Sequence, residues 1–91
     1  MATDSLYLQS LGTVEVRGIT PEEMALLWRS AQRTTRGNIK ATKWLLLVGS
    51  LVLGVTSPRM NKKRAESFIK KNAKDAARLA EAIISLTTRE P

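Results

Sequence analysis

Apolar side chains follow several rhythms along this chain, and one stretch dominates. Residues 44–55 read WLLLVGSLVLGV, with no charge and only Gly49, Ser50 and Gly54 as relief. Water must be kept from such a run. Twelve residues, or fifteen counted to Pro58, fall short of the roughly 20 that a membrane-spanning helix needs, so a buried core helix is expected. Upstream, Thr13-Val14-Glu15-Val16-Arg17 alternates polar and apolar, the period of a half-buried strand, and Gly18 stops it. Leu6, Leu8 and Leu11 are spaced too loosely to define an element, and residues 1–12 read as a flexible arm or an edge.

Thr20-Pro21-Glu22-Glu23 opens a helix. Thr20 caps it, Pro21 suits the first helical position, Glu23 completes a capping box, and both acids sit where the helix dipole favours negative charge. Its apolar face is Met24, Leu27, Trp28 and Ala31. Gly37 and Asn38 suggest a stop followed by a new cap, and the second helix then runs through the apolar stretch until Pro58 forbids continuation. A last helix places Ala65, Ile69, Ala73, Ala76, Leu79 or Ala80, and Ile83 on its buried face, leaving residues 88–91 as a tail. The expectation is a mainly α fold: a short N-terminal strand followed by three helices at about 20–35, 38–56 and 60–86. The alternative joins residues 20–56 into one long helix, folded back on 59–86 as a hairpin and paired into a dimeric bundle.

At 91 residues the chain is one domain of a size that buries only roughly 60 to 65% of its unfolded surface. A helix apolar nearly all round needs more cover than so short a chain offers. A homodimer or higher homo-oligomer with a shared core of Trp44, Leu46, Leu47, Leu51 and Leu53 is therefore expected.

Charge narrows the partners. The formal net charge is +7, and no Asp or Glu stands between Glu23 and Glu66, an interval carrying Arg29, Arg33, Arg36, Lys40, Lys43, Arg59, Lys62, Lys63 and Arg64. Crowded like charge is relieved by an external polyanion, and nucleic-acid phosphate is the commonest one. Lys70, Lys71 and Lys74 stand near Glu66 and Asp75 and read equally as ordinary solubilising charge or as part of the binding surface. Trp28 and Trp44 fall in the apolar period and read as core. With no Cys and no His, thiolate chemistry, disulfides and the usual metal sites and general base are excluded; no activated nucleophile, phosphate loop or acid cluster is present. An enzyme is not expected, nor any cofactor or metal. The first residues lack a secretory pattern, which suggests a cytoplasmic or nucleoid-associated protein.

Residues 13–47 resemble the ribbon-helix-helix family of DNA-binding regulators in pattern: a short alternating strand, a capped helix, a Gly-containing turn, and a second capped helix. The resemblance implies that two chains pair their strands into a ribbon entering the major groove, where Thr13, Glu15 and Arg17 meet base edges, Arg17 donating to guanine and Glu15 accepting from cytosine. It also implies a phosphate at the second helix start, around Asn38 and Lys40 with Lys43 near. The expected nucleic-acid contacts are thus Thr13, Glu15, Arg17, Arg29, Arg33, Arg36, Asn38, Lys40, Lys43, Lys62 and Lys63, on double-stranded DNA in a transcriptional regulator. In the hairpin alternative, Arg29, Arg33, Arg36, Lys40 and Lys43 form one stripe at 4-3-4-3 spacing that straddles double-stranded RNA. A third possibility is a membrane-surface protein inserting residues 44–55.

Overall fold

The computed structural model describes residues 3–89. Strands β1 (Thr3–Leu8) and β2 (Gly12–Arg17) form a hairpin, followed by helices α1 (Pro21–Thr35) and α2 (Ile39–Gly54). Strand β3 (Val55–Ser57) and helices α3 (Lys62–Lys71) and α4 (Ala73–Arg89) complete the chain. The sheet is antiparallel in the order β1-β2-β3.

Local sequence accounts for much of this. In β2, Val14 and Val16 are fully buried while Thr13 and Glu15 are exposed, as strand alternation requires. Thr20 accepts from the backbone N–H of Glu23, and Glu23 accepts from that of Thr20, so both halves of the capping box form. Arg36 and Gly37 both take positive φ, 52° and 85°, which ends α1 in a left-handed turn; Asn38 then caps α2 by accepting from Ala41. The long continuous helix of the hairpin alternative is therefore interrupted at this turn.

The expected strand-plus-three-helix fold also needs correction, because the described residues form four helices and a three-stranded sheet. Residues 3–8, read as an arm or an edge, form the edge strand β1: Leu6 pairs with Val14, and Leu8 is fully buried. The second helix ends at Gly54 because Val55 pairs with Val16, turning residues 55–57 into an edge strand. The last helix is two. Asn72, at φ −134° and ψ 58°, separates α3 from α4; its N–H still donates to the Phe68 carbonyl, and its own carbonyl accepts from Ala76.

A core lies inside the single chain and already takes in part of the stretch expected to form a shared dimer core. Leu8, Val14 and Val16 from the sheet join Leu51 and Val55, Ala65, Phe68 and Ile69 of α3, and Leu79, Ile83 and Leu86 of α4. Of the five expected dimer-core residues, Leu51 is fully buried here, while Trp44, Leu47 and Leu53 are half-buried against the same cluster. Leu46 is half-buried without belonging to it. Two glycines permit close approach: a Cβ on Gly54 would meet Ile83 Cδ1 at 2.4 Å, and one on Gly18 would meet the backbone of Leu86 and Thr87 at 3.1 Å. Beside the second, Ile19 N–H donates to Thr87 Oγ1 at 2.9 Å, fixing the β2–α1 linker on α4.

Candidate nucleic-acid interface

Helix α2 is central, packing on α1, α3, α4 and β3, whereas the substantial packing of α1 is on α2. On α2, Thr42 hydrogen-bonds Thr35 of α1 at 2.8 Å, and Gly49, two turns on and on the same side, sits under Leu27. Trp44 lies about 160° round the helix from Thr42, and over its ring, 5.9 Å from the centroid, stands the ammonium of Lys70 from α3. Helices α1 and α3 thus flank α2 on opposite sides. That separation divides the cations into two groups.

On the α3 side the burial of Ala65, Phe68 and Ile69 turns Lys63, Arg64, Ser67, Lys70 and Lys71 outward, all exposed. Lys40 of α2 joins them, one turn before Trp44 and so toward Lys70. Lys63, Ser67, Lys70 and Lys71 line one shallow hollow with Glu66, which is half-buried and forms no ion pair there. Asn61 caps α3, accepting from Arg64 N–H at 2.8 Å, so this cationic helix starts at a fixed point.

On the α1 side, Arg29 and Arg33 stand two residues either side of buried Ala31 and therefore point away from the body, with exposed Arg36 at the turn. The single 4-3-4-3 stripe from Arg29 to Lys43 does not form, since the chain reverses at Arg36 and Gly37. Lys43 is exposed on the first turns of α2, Asn38 is spent on its cap, and Lys62 lines the groove between α1 and α2.

Thr13, Glu15 and Arg17 sit apart from both groups. β2 is the middle strand, bonded to β1 on one edge and β3 on the other, so it offers no free edge for a two-chain ribbon. Glu15 lies on the outer sheet face, and Asp4 lines the same hollow, where negative charge disfavours phosphate. Arg17 holds Glu23 in a two-pronged pair at 2.9 and 2.7 Å. This bond, followed by the Thr20 backbone N–H, holds the Glu23 carboxyl down at about 2.

Among the described residues, Arg17–Glu23 is the one ion pair within 4 Å. Family models, curated proteins and solved structures offer no match to this chain. Its chemistry must therefore be read from the site. Two groups escaped sequence reasoning. Lys70 and Lys71 stay undecided in sequence between solubilising and binding charge because Glu66 and Asp75 stand near them, yet Asp75 accepts instead from the Ser10 hydroxyl of the β1–β2 turn. Trp28 read as core and is 51% exposed. The helical spacing of Lys63, Ser67 and Lys70 was a usable signal; nothing local marked Trp28. No helix among the described residues is long and apolar enough to cross a membrane.

Proposed function

We propose that this protein binds duplex nucleic acid through its phosphates, using the α3 side of the molecule. The supporting observation is the outward face of α3 with its neighbour on α2: Lys63, Arg64, Lys70, Lys71 and Lys40 are exposed, none is ion-paired among the described residues, and Lys70 on Trp44 joins the two helices. Phosphate contacts position a protein without reading sequence, and this face is made of point charges on flexible stems around one hydroxyl, Ser67. Binding is therefore weakly selective among sequences. The edge-locked β2 and the acidic outer sheet face leave base readout by Thr13, Glu15 and Arg17 without support.

Fluorescence anisotropy with a DNA duplex and an RNA duplex of unrelated sequences, at two salt concentrations, is the test. Five cations neutralising about five phosphates give a log–log slope of about −4.5, so raising salt fourfold weakens binding by roughly 500-fold. Lys63→Glu and Lys70→Glu weaken all sequences alike, and more than Arg33→Glu does. A flat salt response, or equal loss from Arg33→Glu, rejects the assignment.

A further inference from the structure

Besides Tyr7 of β1 and Ile84 of α4, four large apolar side chains stand exposed close together in the chain: Ile39 is 71% exposed, Leu26 65%, Trp28 51% and Met24 38%. All lie on α1 or the first turn of α2, across α2 from the α3 face. We infer that the exposed face of α1, with the α1–α2 turn, docks on an anionic membrane surface.

Leu26 stands in one column of α1 with Arg29 and Arg33, at i, i+3 and i+7. Met24 and Trp28, at i and i+4, form another column, with exposed Ala25 and Gln32 between the two. At the turn, Ile39 stands three residues after exposed Arg36. About half the circumference of α1 therefore offers apolar groups interleaved with cations; exposed Glu22 begins the Leu26 column, and past Glu23 neither α1 nor α2 holds a carboxylate. A nucleic acid has use for the cations but not for Leu26, Trp28 and Ile39. A second copy of this chain would bring Arg29 and Arg33 toward their own kind. Anionic lipid satisfies both demands at once: acyl chains accept the apolar side chains, headgroup phosphates meet the cations, and Trp is at home at that boundary. The inserting residues differ from the 44–55 stretch that the sequence suggested, because that stretch is partly covered by the chain's own sheet and helices.

The test is flotation of the full chain with vesicles of phosphatidylcholine alone and with a third phosphatidylglycerol. The protein floats with the anionic vesicles and not with the neutral ones. The double variant Leu26→Ser, Trp28→Ser, whose sites are too exposed to serve the core, loses about tenfold or more of this partitioning. Its affinity for duplex nucleic acid is unchanged, so failure of either assignment leaves the other readable. Equal flotation with both vesicle types, unaltered flotation of the double variant, or a sedimentation dimer abolished by Trp28→Ser overturns the inference.

Discussion

Replacing Gly54 by alanine isolates the closest packing decision in the fold. The added methyl would meet Ile83 Cδ1, Cγ1 and Cγ2 at 2.4, 2.7 and 2.9 Å, and Ile83 is completely buried, so three atoms must move in a site with no room. Overpacking of this kind costs about 1–3 kcal/mol. The better helix propensity of alanine returns up to about 1 kcal/mol, less at a final helical residue such as Gly54. The net loss is about 1–2 kcal/mol, or about 4–16 °C in Tm for a domain this size. Gly49→Ala is the control, because its methyl also meets one atom at 2.4 Å, but that atom is the tip of half-buried Leu27, which has free space to swing into. There the alanine gain of about 1 kcal/mol offsets the displacement, and stability stays within about 0.5 kcal/mol of the parent. Urea titration followed by circular dichroism measures both. In the double variant Gly54→Ala, Ile83→Ala, the loss is smaller than the sum of the single losses, since removing the isoleucine branches removes the collision. If Gly54→Ala is no worse than Gly49→Ala, the account of α2 against α4 is wrong.

Other outcomes follow from single contacts. Glu23 is held at about 2 by Arg17 and Thr20, below its unfolded value of roughly 4.3, so its contribution is complete above that value and is lost as pH falls from about 5 through about 2. With 27% of the side chain exposed, solvent screening reduces this to an order of 1–2 kcal/mol. Glu23→Gln should therefore flatten the acid limb of a stability–pH curve; an unchanged limb contradicts the pair. Asn61→Ala removes the α3 cap and should cost about 1 kcal/mol, read as a Tm drop of about 4–8 °C, with looser duplex binding because the cationic helix frays.

Arrangements that depend on neighbours in the chain were written in the sequence. The Thr20–Glu23 cap, the stop at Gly37 with restart at Asn38, and the Val14–Val16 alternation each need partners within a few residues. What depends on distant partners was decided by the tertiary structure. Val55 ends an apolar run, and with Thr56 and Ser57 it becomes strand only because Val16 offers an edge; loosely spaced Leu6 and Leu8 become strand only because β2 does. Burial is likewise not local: Leu51 and Trp28 both read as core, yet the sheet, α3 and α4 enclose the first, while α1, resting on α2, leaves the second in water. The charges divide for the same reason. Their number and lack of nearby acids belong to composition, but only the reversal at Gly37 and the docking of α3 on α2 set Lys70 over Trp44 and turn Arg29 and Arg33 to the far side.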